Sequence, residues 1–258
     1  MKRHRFFAEI LASPCVLASQ EAHHATQTLR LAEGDAVELF DGQGRSVVGV
    51  LQSAGKRQWQ VVFDAGAVAL APRPRMELTL AIAVPKGERA DTLVEMASQL
   101  DVACIQWMDC RRSVVKPDAH GGKMEKWRRL AIESAKQCGR DYVMQVLAPI
   151  AMAGVLRAAL EEQHSLLVLE PTGADSLWDW LGDWVGGGAE ERAVASRKLT
   201  ALVGPEGGFA DDELAMLSGE AQRRRIDFVR ICPNILRIET AGIAVAAAVC
   251  AATASNHK

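Results

Sequence analysis

A chain of 258 residues can hold one large domain or two small ones, and its 49% hydrophobic and 24% charged residues are those of a soluble globular protein. A formal net charge of −2 excludes a simple polycation and no apolar run is long enough to cross a bilayer. The basic start Lys2-Arg3-His4-Arg5 lacks a signal peptide's apolar stretch, so a cytoplasmic protein is expected.

Up to about residue 70 the pattern is β-rich. Val37 to Phe40 runs into Asp41-Gly42-Gln43-Gly44, a hairpin turn signal, and Ser46 to Leu51 and Gln58 to Phe63 follow as strands. His23 to Leu31 reads as a short helix. Closely spaced short strands suit a small barrel. Ala71-Pro72-Arg73-Pro74-Arg75 reads as a linker, because two prolines remove donors and break periodicity. Beyond it strands and helices alternate: Leu78 to Val84, helix Ala90 to Leu100, Cys104 to Met108, helix Met124 to Cys138 ended by Gly139, Gln145 to Leu147, helix Val155 to Gln163, and Ser165 to Leu169. Trp178, Trp180 and Trp184, before Gly186-Gly187-Gly188, are expected to pack in the core. The alternation predicts an α/β domain with a parallel sheet and helices on its faces.

The six cysteines form no CxxC pair and no Cys/His group with zinc spacing, so reduced thiols, mostly small core residues, and no metal site are expected. Positive charge gathers at Lys2 to Arg5, from Arg111 to Arg129, and at Arg223-Arg224-Arg225. Each cluster reads either as a solvated face or as part of a polyanion-binding surface.

Two segments carry the chemistry. Gly204-Pro205-Glu206-Gly207-Gly208-Phe209 follows the apolar strand Leu199 to Val203 and precedes a helix start at Ala210-Asp211-Asp212-Glu213. A glycine-rich turn between a strand and a helix lets the backbone approach a ligand closely. The second segment, Pro233 to Ala241, leads into the small-residue helix Gly242 to Ala252. In extended backbone Arg237 and Glu239 share one side, and Thr240 is placed to cap the helix. Two such loops, each after a strand, suggest one composite site.

These segments, with Arg5-Phe6-Phe7, Leu29-Arg30-Leu31, Pro85-Lys86-Gly87-Glu88-Arg89, Arg112 to Lys116 and Gln137-Cys138-Gly139-Arg140, resemble the bacterial RsmE-type methyltransferases of the SPOUT, or trefoil-knot, superfamily. The resemblance covers nearly the whole chain. It implies a PUA-like RNA-binding β-barrel over residues 1–71 and a knotted methyltransferase domain over 76–258. An open Rossmann-like sheet is what pattern reading alone gives. It further implies a homodimer that uses S-adenosylmethionine to methylate N3 of a uridine in 16S small-subunit ribosomal RNA. Three loops would hold the cofactor: Leu169, Glu170, Pro171 and Thr172; Val203, Gly204, Pro205, Glu206, Gly207 and Gly208; and Ile231, Cys232, Asn234, Ile235 and Leu236. RNA would be gripped by Arg3, Arg5, Arg30, Arg112, Lys116 and Arg140.

The chain departs from the family pattern at Ser98 to Asp101, Cys138, Ile231-Cys232, Asn234, Ile238 and Gly242. A side chain at 232, where the family has glycine, matters most for cofactor approach. Arg237 and Glu239 carry two readings. In one, Arg237 stabilises charge on the uracil oxygens while Glu239 accepts the N3 proton or orients a group that does. In the other, the pair only braces the fold. A nicotinamide-dependent oxidoreductase would need GxGxxG after the first α/β strand, which Pro85-Lys86-Gly87-Glu88 does not supply. An RNA-binding protein that has lost catalysis is the remaining alternative, and binding of S-adenosylmethionine separates the two.

Overall fold

Short runs of β-branched and aromatic residues between turn residues make the first strands. The computed structural model describes residues 3–55, 58–74, 76–116, 122–173, 175–186, 197–223 and 226–254. Two compact units emerge, Met1–Arg73 with Ile132–Val143, and Pro74–Ala131 with Met144–Lys258. The first contains β1 (Arg5–Phe7), β2 (Cys15–Val16), α1 (Ser19–His23) continued by a π-helical turn over His24–Thr28, β3 (Ala36–Phe40), β4 (Arg45–Gly55), β5 (Gln58–Val62) and β6 (Ala69–Leu70). The strand path is β1-β3-β4-β5-β2 with β6 on β4. This is a small PUA-like barrel whose end strands, β1 and β2, do not pair with each other among the described residues. Alternate residues Val37 and Leu39, Val47 and Leu51 point inward with Phe6 and Val61 to form its core.

The β3–β4 hairpin turns where the sequence places it. The Asp41 carboxylate closes it by accepting from the backbone N–H groups of Gln43 at 2.8 Å and Arg45 at 3.0 Å, and from Arg45 Nε at 2.6 Å. Burial pushes the Asp41 carboxyl up, but these donors outweigh burial and its pKa is lowered. The helix expected over His23 to Leu31 begins at Ser19 instead and has ended by Thr28. Arg30, at φ 56°, lies in left-handed backbone that no helix continues through.

Arg5 corrects an expectation. It is buried, with Nε 3.2 Å from Glu38, an ion pair to Asp141, a hydrogen bond donated to the Arg140 carbonyl at 3.1 Å, and its guanidinium 4.5 Å from the centre of the Phe40 ring. A cation so enclosed ties the barrel to residues 140–141 and is not available to RNA. Lys136 is likewise buried, 2.9 Å from Glu21 and 3.1 Å from Glu133. Arg3 and Arg30 are exposed and Arg140 is half-buried.

The second unit contains β7 (Met76–Ala83), α2 (Arg89–Gln99), β8 (Cys104–Asp109), the first part of α3 (Gly122–Cys138), β9 (Gln145–Ala151), α4 (Met152–Glu161), β10 (Ser165–Leu169), β11 (Asp175–Ser176), α5 (Leu177–Gly186), β12 (Arg197–Val203), α6 (Asp211–Gln222), β13 (Ile226–Arg230) and α7 (Ile238–Ala254). Seven parallel strands run in the order β11-β13-β10-β12-β7-β8-β9. Helices α4 and α6 cover one face, and α2, α5 and α7 the other. The inner strand β7 is therefore apolar on both sides, with Leu78, Leu80, Ala81 and Ile82 buried, as parallel sheets require.

β13 lies three strands away from β7, yet α7, which follows β13, packs on β7, β12 and α2. The chain thus doubles back past the ends of β10 and β12, the return that the trefoil-knot class uses and the open-sheet reading lacks. α7 also begins earlier than expected, at Ile238, with the Ala241 N–H donated to the Arg237 carbonyl at 2.9 Å. Thr240 therefore sits inside the first turn and does not cap it, and the 237–239 segment is not extended. The tryptophans of α5 are not core residues. Trp178 is 61% exposed, while half-buried Trp180 and Trp184 stack with centroids 5.4 Å apart. Gly187 and Gly188 lie outside the described residues, as do Lys2, Arg224 and Arg225.

Candidate active site

Three adjacent parallel strands end at one cavity. β10 runs into Leu169-Glu170-Pro171, β12 into Val203 to Gly208, and β13 through Val229 into Ile231 to Leu236; together they enclose about 240 Å³. Carboxyl ends of parallel strands are where open α/β sheets bind ligands. All the residues expected to hold a cofactor line this cavity except Thr172, which is exposed beside it, and Gly207. Phe209, Val229, Ile238 and Ala241 line it too and were not foreseen. The signal for Phe209 was its place in the GPEGGF motif. That for Ile238 and Ala241 was hidden by the late helix start.

Each loop is shaped by a close approach. Gly173 closes the first: a Cβ there would lie 2.7 Å from the Val229 carbonyl carbon and 3.0 Å from the Arg230 nitrogen, so no side chain fits without parting the loop from β13. In the second, Gly208 has φ +70° and donates to the Pro205 carbonyl at 2.8 Å. Gly207 faces elsewhere, towards Arg112, with ordinary room for a Cβ 3.5 Å from the Arg112 Cβ. In the third loop Cys232 takes the place of the family's glycine without positive φ, and its Sγ donates to the Asn234 carbonyl at 3.4 Å. The loop accommodates an ordinary L-residue at 232. Among the described residues the N–H groups of Cys232, Asn234, Ile235 and Leu236 make no backbone hydrogen bond.

The lining is apolar with two carboxylates, Glu170 and Glu206, and no lysine or arginine. That chemistry disfavours a polyphosphate and suits a ligand with apolar and cationic parts whose polar edges bond to main-chain N–H groups. The sulfonium, ammonium and adenine of S-adenosylmethionine meet that description.

The two expected catalytic residues do not line the cavity. Arg237 is exposed and forms no ion pair among the described residues. Glu239, in the first turn of α7, is 12% exposed at its side chain and lies 3.5 Å from Arg89 at the start of α2. Its Oε2 is buried and accepts no hydrogen bond among the described residues. The Arg237–Glu239 pair considered from sequence is thus replaced by Arg89–Glu239. Arg89 also lies 3.5 Å from Glu206, and Lys86 3.3 Å from the other oxygen of Glu206. Lys86 and Arg89 belong to a motif that the sequence singled out, yet nothing in their spacing tells which carboxylates they meet.

The basic segment after β8 serves the cavity from outside. Arg112 donates to the Phe209 carbonyl at 3.0 Å and to Asp211 at 3.1 Å, and the Arg111 N–H is accepted by buried Glu213 at 3.0 Å. The other oxygen of Glu213 accepts the Ala210 N–H at 2.8 Å and caps α6. Lys116 pairs with Asp109 at 2.7 Å. Arg112 and Lys116, expected as RNA grips, are engaged within their own chain, with Arg112 bracing the GPEGGF turn. Burial, with Glu213 and Asp109 adding to it, pushes the Cys110 thiol up to about 12, and burial does the same for Cys104. Both stay protonated core residues, as does buried Cys15, while Cys138 is exposed. Among the described residues no group of three or more His, Cys, Asp or Glu is placed to hold a metal, and no helix is long and apolar enough to cross a membrane.

A parallel sheet whose C-terminal helix returns past its own strand ends, with a ligand cavity at that return and a PUA-like barrel ahead of it, is the SPOUT methyltransferase architecture. Residues 72–250 match the RNA methyltransferase domain model and residues 17–64 the RNA methyltransferase PUA domain model. The chain belongs to this RNA methyltransferase family and is of the RsmE type. It is similar to the ribosomal RNA small subunit methyltransferase E of Mycobacterium bovis, 27% identical over 91% of this chain and 85% of that one. The Synechocystis protein of the same name is 26% identical over 90% of this chain and 71% of its own length. A Legionella pneumophila methyltransferase solved with bound S-adenosylmethionine superposes with a TM-score of 0.80 at 26% identity, covering 98% of each chain.

Proposed function

We propose that this protein uses S-adenosylmethionine to methylate N3 of a uridine in 16S small-subunit ribosomal RNA. The observation that carries the reading is the cavity itself. Three loops that the family resemblance assigns to the cofactor converge on one space, and its apolar, acidic, N–H-bearing lining suits that cofactor. Leu169 to Pro171, Val203 to Gly208 and Ile231 to Leu236 would hold it largely by main chain.

The bound cofactor would supply an electrophilic methyl group. N3 of uridine carries a proton, and its loss leaves charge shared between O2 and O4. Glu239, or a group that Glu239 orients, would accept that proton and so leave the N3 lone pair free for the methyl group. Arg237, exposed and without an ion pair among the described residues, would bring positive charge to the uracil oxygens. Residues 1–71 would bind RNA through exposed cations such as Arg3 and Arg30, which grip phosphates and fix register. Arg140 would contribute at the edge of that surface. The catalytic domain, residues 76–258, is proposed to work as a homodimer in the cytoplasm, and light scattering at micromolar concentration tests the assembly.

Calorimetry with S-adenosylmethionine, followed by mass spectrometry of 16S RNA incubated with both, tests the function. Cofactor binding and a methyl group on uridine N3 are expected. Binding without transfer would remove the assigned substrate, and no binding would leave an RNA-binding protein that has lost catalysis.

A further inference from the structure

The ion cluster beside the cavity contains a fixed cation with unused donors. Arg89 Nη1 lies 3.5 Å from Glu206 in the cavity-lining loop and 3.5 Å from Glu239 in the first turn of α7. Its side chain is 34% exposed, and both ion pairs are made by Nη1, so that among the described residues no carboxylate pairs with Nε or Nη2. Lys86, 3.3 Å from the far oxygen of Glu206, holds that carboxylate from its other side. Two carboxylates from separate elements share one guanidinium nitrogen, which holds Arg89 beside the cavity-lining loop and leaves the rest of its fork for a ligand. Arg237 has no such counter-charge among the described residues.

Resting on the proposed reaction, we infer that Arg89 is a second substrate-contacting cation, which donates from Nε and Nη2 to a uracil oxygen as N3 loses its proton. Charge on the ionised base is split between two oxygens flanking N3, so two cations can be used at once. An anchored donor needs no reorganisation as that charge develops, which is where a hydrogen-bond donor does most for a rate. Glu206 and Glu239 temper the net field of Arg89, so its contribution is directional hydrogen bonding. A planar fork holds that direction, and an ammonium on a flexible stem does so less well. Glu239 then acts as well through the position of Arg89 as through any proton it accepts.

The test uses the full-length protein, Arg89→Gln and Arg89→Lys, on 16S RNA containing uridine or 5-fluorouridine. Fluorine at C5 makes N3 more acidic, and the reaction then needs less help in carrying the charge. Loss of one such donor lowers kcat by about 10²-fold on uridine RNA. The Arg89→Gln defect should shrink by about tenfold on the fluorinated RNA, with S-adenosylmethionine affinity unchanged. Arg89→Lys should show the same fluorine response with a smaller defect, and it carries the test if Arg89→Gln does not fold. As a binding readout, wild type should hold fluorinated RNA more tightly once N3 ionises, by fluorescence anisotropy, and Arg89→Gln should lose that gain. Equal defects on both RNAs, or a binding gain that survives the substitution, would overturn the assignment of Arg89. Wild type that binds no cofactor would instead overturn the reaction, and this inference with it.

Discussion

Gly207 and Gly208 are neighbours in one motif, and the structure gives them different work. Gly208 holds φ +70° on the cavity wall, where an L-residue is strained by about 1–2 kcal/mol and a β-branched one by more. Gly207 has room for a methyl group beside Arg112. Gly208→Val is therefore expected to weaken S-adenosylmethionine binding at least about tenfold, while Gly207→Ala leaves it near wild type. Calorimetry on the two variants checks this, and the reverse ranking would move the cofactor away from the Val203–Gly208 turn. The sequence marked both glycines because a motif shows which residues are small, and it cannot show which of them carries the unusual φ. The same holds for Arg5, a basic residue near the chain start whose burial against Phe40, Glu38 and Asp141 depends on contacts as far as residue 141. Asp41 sits at the opposite limit, since its turn motif is local and was legible. Its folded pKa is below the ordinary 3.8, so the stability it contributes is present above that value and lost as pH falls through the folded pKa. Asp41→Asn should flatten the acid side of a pH–stability curve measured by urea unfolding. An unchanged acid limb would mean that the turn does not depend on the carboxylate.

Elements with a strong period were legible, and their ends were not. β10 matches its expected range and β7 begins two residues before its own, because both are mostly apolar runs with turn residues behind them. α7 was misplaced at its start by four residues, because Ile238 and Ala241 look like loop residues until the helix is seen to pack on β7 and α2. That shift moved Glu239 out of an extended loop and onto a helical turn facing Arg89, which changed the partner and not the residue. The helix start at Ala210 was legible, but what holds the N-terminus of α6 was not: it is Glu213, three residues after Ala210. One buried carboxylate takes the Ala210 N–H and, with its other oxygen, the Arg111 N–H. Glu213→Ala leaves two N–H groups without that acceptor and should cost about 2–3 kcal/mol. It should also loosen the Arg111–Arg112 segment that braces the GPEGGF turn. A fall in thermal midpoint together with weaker cofactor binding is expected. A fall in midpoint with unchanged binding would show that the brace does not reach the cavity.

At the scale of the whole molecule the local pattern fails in two places, both for reasons of long range. Alternating strands and helices fit an open sheet as well as a knotted one, because the return of α7 past β10 and β12 leaves no mark on periodicity. The unit boundary inside α3 leaves none either. Met124 to Cys138 read as one helix and forms one helix, yet residues from Ile132 onward belong with the barrel. There Lys136 is buried on Glu21, and Tyr142 donates to the Ala71 carbonyl at 3.0 Å. Removing residues 1–71 thus does more than take away an RNA-binding surface. It strips Asp141 and Tyr142 of the partners described above and leaves Lys136, buried against Glu21 in the whole chain, with Glu133 alone as counter-charge. The second half of α3 should then fray while the first half stays pinned by Trp127, whose ring lies 4.6 Å from that of Trp107 and whose Nε1 donates to Asp91 at 2.9 Å. Hydrogen exchange on the 72–258 fragment reads this directly. Amides of 132–138 should lose protection by several orders of magnitude, and those of 124–131 should keep most of theirs. Uniform protection along the helix would mean that the catalytic domain holds all of α3 by itself, and uniform loss would mean that the helix is a single cooperative unit built on the barrel.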